Sequence, residues 1–171
     1  MDKEKALLGS GHLFFAEIEE DGIIPETLFN AENNVGSISG GARLDYNPTI
    51  YDVENDDGDT LESYITKEEA KLTSGILNWN LKNIEKLTVG GTYDAVNKTL
   101  TIGGKKKVKK YAIGFEHEED DYLLRVSMIG RATKGVTIDF KKDKETIVDA
   151  EFKASKLSNG KYVVIEETDV A

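Results

Sequence analysis

Three short stretches concentrate the side chains from which a site could be built. Glu116-His117-Glu118-Glu119-Asp120-Asp121 sets one of the chain's two histidines among five carboxylates. That donor set would suit a divalent cation or general acid–base work. Metal ligands must converge from several elements, however, and adjacent turn residues mostly point apart, so this run reads as a solvated hairpin turn. A second stretch holds Asp52, Asp56, Asp57 and Asp59 around Gly58. With Gly58 at the glycine of a calcium loop, Val53 and Tyr64 fall at the first and twelfth positions, where acids are required. The EF-hand pattern fails, an irregular calcium site stays open, and a solvated or subunit-contacting turn is the simpler reading.

The third stretch is Gly103-Gly104-Lys105-Lys106-Lys107-Val108-Lys109-Lys110. A phosphate loop would need glycine where Thr99 stands and Ser or Thr where Lys106 stands. A strip for stacking nucleobases would need interleaved aromatics, which are missing. The run therefore reads as a basic hairpin turn or as a contact with an acidic neighbour. His12 lies near Ser10 without a nucleophile elbow, and no Gly-x-Ser-x-Gly occurs. Two placed carboxylates can hydrolyse glycosides, but a chain with 32 acidic residues offers such pairs everywhere. Trp79 and the seven tyrosines suit a core, an interface or a sugar-stacking face. No catalytic, metal or cofactor residue emerges, and the chain is expected not to be an enzyme.

Composition narrows the classes further. The 171 residues suit one domain, and 39% hydrophobic with 32% charged residues is the balance of a folded soluble protein. No apolar run approaches the ~20 residues that span a bilayer, and the charged start is not followed by a signal-like apolar segment. There is no cysteine, hence no disulfide, thiolate metal site or thiol catalysis. The net charge is −10, and residues 1–75 carry 17 acidic against 5 basic side chains. A nucleic-acid binder would show a basic excess. Here the imbalance reads first as a device for solubility, and more sharply as acidic and lysine-bearing surfaces that meet between subunits.

Period-2 alternation dominates the elements that must position these residues. Strands are expected at residues 12–18, at 35–46 (interrupted by Gly36, Gly40 and Gly41), at 71–79, at 111–115, at 122–128, at 136–140 and at 148–154. Asn47-Pro48 reads as a break. Residues 93–102 read as a hairpin turning near Asn97, and Ser158-Asn159-Gly160 as closing a last hairpin into residues 162–165. Leu81, Ile84 and Leu87 predict one short helix, at about residues 80–88, capped by Asn78 or Asn80 and ended by Gly90-Gly91. Residues 47–70 are strongly acidic yet carry Ile50, Tyr51, Val53, Leu61, Tyr64 and Ile65. This predicts an extended hairpin arm with Asp56-Asp57-Gly58-Asp59 at its tip, its apolar residues needing a neighbour. The whole is expected to be a mainly β, β-sandwich or barrel-like single domain with one flanking helix and a long arm.

The order of these features resembles the major tail tube proteins of long-tailed bacteriophages. The resemblance is carried by Val35-Gly36-Ser37-Ile38-Ser39-Gly40-Gly41-Ala42-Arg43-Leu44-Asp45-Tyr46, by the acidic arm, and by the passage from Glu68-Glu69-Ala70-Lys71-Leu72 through Asn78-Trp79-Asn80 into the helix. Gly135-Val136-Thr137-Ile138-Asp139-Phe140, Ala150-Glu151-Phe152-Lys153-Ala154 and Gly160-Lys161-Tyr162 complete it. It covers most of the chain, in pattern rather than in strict signatures. The resemblance implies a virion structural protein assembled in the bacterial host cytoplasm, with no cofactor. Six copies would form a ring whose inner sheets join into one barrel. Rings would stack through an N-terminal arm (residues 1–10) and the long arm (about 47–70) into a hollow tube for DNA ejection. Partners implied are other copies of the chain, a tape-measure protein, and tail terminator and tip or baseplate proteins; DNA passes in transit only, and no membrane is engaged. Candidate ring contacts are Tyr51, Asp52, Asp56, Asp57, Asp59, Tyr64, Lys105, Lys106, Lys107, Lys109 and Lys110. The competing expectation is a carbohydrate- or surface-binding β-sandwich module.

Overall fold

The computed structural model describes residues 11–77, 80–104 and 107–170. In chain order the elements are β1 (His12–Ala16), a 3-10 turn (Ala31–Asn33), β2 (Ile38–Glu54), β3 (Thr60–Ile76), α1 (Leu81–Leu87), β4 (Gly91–Asp94), β5 (Thr99–Ile102), β6 (Tyr111–Glu118), β7 (Tyr122–Ala132), β8 (Val148–Ala154) and β9 (Val163–Asp169). The fold is mainly β with one short helix.

Seven strands form one antiparallel sheet in the order β1-β6-β7-β8-β3-β2, while β4 and β5 make a separate hairpin. The seventh, β9, lies in line with β8 on the same edge of β7: Tyr122–Met128 pairs with β9, and Gly130–Ala132 with β8. Gly130 sits where these pairings change over. A Cβ there would stand 2.8 Å from the Lys153 carbonyl oxygen, closer than side chains tolerate.

The main core gathers the inward residues of the sheet. Leu13, Phe15, Leu72, Ile76, Ile113, Met128, Val148 and Phe152 are all 2% exposed or less. Phe15 and Phe152 meet edge-to-face, ring centroids 5.0 Å apart, a geometry that adds to their area burial. Ile84 and Leu87 of α1 join this core, with Leu81 packed at its margin. Asn80 caps the helix, its side-chain oxygen accepting from the Lys82 N–H at 3.0 Å. Seven residues cannot hold a helix in water, so packing does. A second cluster, Phe14, Ala16, Leu28 and Ala112, lies under the loop after β1.

The structure corrects several of the sequence expectations. Asn47-Pro48 does not break β2: both continue the ladder, Asn47 opposite Glu69 and Pro48 opposite Glu68. β2 is an edge strand, where a residue without an N–H is tolerated. Residues 135–140 form no strand despite the alternation of Val136, Ile138 and Phe140, and Phe140 is 81% exposed. Ser158-Asn159-Gly160 does turn the chain, but β8 and β9 do not pair with each other; each takes its own segment of β7. The helix ends at Thr88, and Gly90, at φ 87°, turns the chain afterwards into β4. The glycine interruption of this strand is a bulge at Gly40-Gly41: both have positive φ (76° and 73°), and the β2–β3 register shifts there.

Candidate functional site

β2 and β3 pair from Ile38–Ile76 out to Glu54–Thr60, but β8 pairs with β3 only over Lys71–Ile76. Beyond Tyr46–Ala70 the two strands have no other strand beside them among the described residues, and most of their side chains are exposed. Cross-strand partners share a face. Leu44 and Leu72, opposite each other and turned to the core, define the inner face, which continues outward through Tyr46, Pro48, Ile50 and Ile65. Tyr46, Ile50 and Ile65 are 49%, 59% and 58% exposed. Tyr51 and Tyr64 oppose each other on the outer face and are also mostly exposed. The core stripe of the sheet thus runs on, uncovered, into the outer hairpin.

Polar contacts run across this ribbon and along it. Tyr46 donates its hydroxyl to Glu68 at 2.7 Å and Ser63 to Asp52 at 2.5 Å, while the Tyr64 hydroxyl donates to Glu62. The carboxylates beside them push both tyrosine pKa values up. The turn is organised by Asn55, a residue not singled out from the sequence. Its side-chain oxygen accepts from the N–H groups of Asp57 (3.0 Å) and Asp59 (2.8 Å), and Gly58 supplies the positive φ of 85°. Asx chemistry of this kind is visible in Asn55-Asp56-Asp57-Gly58 once the strand ends are known. Asp56 and Asp57 stand exposed at the tip.

At the hairpin base, Glu69 takes an ion pair from Lys153 (2.7 Å) and from Lys71 (3.2 Å), tying β3 to β8. The two ammonium groups, Lys153 first, hold the Glu69 carboxyl down to about 2. Between the hairpin base and β9 lies an open groove of about 550 Å³, walled by Leu44, Tyr46, Tyr162, Val163 and Ile165, with Glu68 at its rim.

The lysines fall elsewhere. Lys105 and Lys106 lie outside the described residues, as do residues 1–10, Asn78 and Trp79. Lys107 lines a small cavity near α1. Lys109 pairs with Glu17 at 2.7 Å and sits 5.1 Å from the Tyr111 ring centre; Lys110 pairs with Asp21 at 3.2 Å. Lys109 lowers the Glu17 pKa, and Glu17 raises that of Lys109. Acid and base do meet, but for these two lysines within one chain. Exposed pairs of this kind contribute little to stability.

The Glu116–Asp121 run is not the solvated turn it resembles in sequence. β6 extends through Glu118, and the turn is confined to the next few residues, closed by the Glu119 N–H donating to the Tyr122 carbonyl at 2.9 Å. His117 is therefore a strand residue, 6% exposed, with Nε2 3.0 Å from Glu119. Glu116 instead pairs with Arg125 at 2.7 Å. Among the described residues no three His, Asp or Glu side chains converge as a metal site would require, and no helix is long and apolar enough to cross a membrane. The sequence matches no family model and no curated protein.

Proposed function

We propose that the chain is a structural subunit that assembles with copies of itself, as stacked rings of six, into the hollow tube of a phage-type tail. The outer β2–β3 hairpin carries this reading. It presents Ile50, Tyr51, Leu61, Tyr64 and Ile65 to solvent, each more than half exposed, beside a β2 edge that no strand covers among the described residues. A 17-residue free edge flanked by apolar side chains invites pairing. A ring in which each sheet continues into the next subunit removes such edges, and a head-to-tail contact that closes is how one chain builds it. In this reading the domain is a β-sandwich flanked by α1, and the hairpin is an arm seated on a neighbouring copy. The net charge of −10 suits a lumen through which DNA moves without adhering. Tape-measure, terminator and tip proteins are its further partners, and the virion tail its place.

Sedimentation velocity with light scattering across a concentration series tests this. Mass growing with concentration toward rings and filaments supports it; a monomer throughout opposes it. A second reading, a carbohydrate- or surface-binding module, draws on the solvent-facing Tyr51–Tyr64 pair, since aromatic faces stack on sugars. Glycan-array binding that disappears in Tyr51→Ala would favour that alternative.

A further inference from the structure

Between the end of α1 and the start of β6 lies a cavity of about 60 Å³ lined by Lys86, Thr88, Lys107 and Lys109, with Glu85 and Gly90 on its wall. Two of these groups lack what burial requires. Thr88 is 5% exposed, and its Oγ1 has no hydrogen-bond partner; a buried hydroxyl left unpaired is destabilising. Lys86 is half-buried and makes no ion pair among the described residues; burial first, then neighbouring Lys82, pushes its pKa down, against a smaller opposing pull from Glu17 and Glu85. Glu85 is the one acid lining the cavity against three lysines, and Lys109 is already held by Glu17.

We propose that this cavity binds a small tetrahedral oxyanion of the phosphate or sulfate type. A water needs about 10–15 Å³ of such space, so the cavity takes a few waters or one five-atom anion. Water would satisfy the Thr88 hydroxyl but would add no negative charge to a cavity lined by three lysines and one acid. An oxyanion accepts from both and from Lys107, through charge-assisted hydrogen bonds. The carbonyls at the end of α1 oppose an anion only weakly, because seven residues align few peptide dipoles. The site lies within one chain and does not depend on assembly.

The test is thermal unfolding of the full chain titrated with sodium phosphate, sodium sulfate and sodium acetate at fixed ionic strength, with amide NMR shifts read at Thr88. Phosphate and sulfate should raise the midpoint saturably and shift the Thr88 signal, and acetate should not. Thr88→Val, an isosteric change that removes the orphan hydroxyl, should fold at least as stably without anion. Thr88→Val and Lys86→Met should each weaken phosphate about tenfold or more, the loss of one charge-assisted bond. Lys142→Met, at an exposed site, should leave it unchanged. Absence of a saturable phosphate shift, an equal response to acetate, or undiminished binding in both pocket variants overturns the proposal.

Discussion

The double substitution Ile50→Ser, Ile65→Ser separates folding from assembly. The two side chains oppose each other on the hairpin's inner face and are 59% and 58% exposed in the single chain. Fully burying an isoleucine is worth about 1.5–3 kcal/mol. The fraction still open therefore stores about 1–1.75 kcal/mol per residue for assembly, or about 2–3.5 kcal/mol for the pair. At 1.4 kcal/mol per tenfold, the concentration needed for assembly should rise about thirty- to three-hundredfold. The part already covered is smaller, so the folded monomer should persist with its midpoint lowered by only a few degrees. Light scattering against concentration, beside a thermal melt of each variant, measures both. Val96→Ser, at an 89% exposed position in the β4–β5 turn, is the control and should leave assembly unchanged. A double variant that assembles at the wild-type concentration would refute the role given to this face.

The Glu69 cluster sets a pH window. Its carboxyl is held down to about 2 from an ordinary 4.5. The stability it contributes is thus present above 4.5 and is lost as pH falls toward 2. Glu69→Gln should flatten the decline of the melting midpoint across that interval, and an unchanged decline would remove Glu69 from it. Phe152→Ala should cost about 3–5 kcal/mol through the cavity left beside Phe15. A melting midpoint within about 2 °C of wild type would show that the core is not centred there. Asn55→Ala removes the acceptor of two turn N–H groups; amide exchange at Asp57 and Asp59 should accelerate while β6 and β7 stay protected, and unaltered exchange would contradict its organising role.

Local patterns were legible in the sequence where local physics decides. Leu81, Ile84 and Leu87 fixed the face of α1, the turn near Asn97 closed β4 on β5, and alternation located β1, β6, β7 and β8. Sequence reading failed where distant pairing decides. Pro48 reads as a breaker until β2 is known to be an edge strand. Val136, Ile138 and Phe140 alternate like a strand, yet no strand takes them up. Ser158-Asn159-Gly160 has hairpin chemistry, but β7 claims both flanking strands at different points along its length. The acidic, apolar character of residues 47–70 was plain from composition. The partners of Lys109 and Lys110, 92 and 89 positions away, were not, because nothing local records which acid the fold brings to a given lysine.

Negative-stain electron microscopy of the purified chain, imaged across a concentration series with end views averaged, tests the tube reading most directly. Six-fold rings and hollow tubes, lost in the Ile50→Ser, Ile65→Ser variant, are the expected result. Single particles the size of one 18.9 kDa chain at every concentration would contradict it.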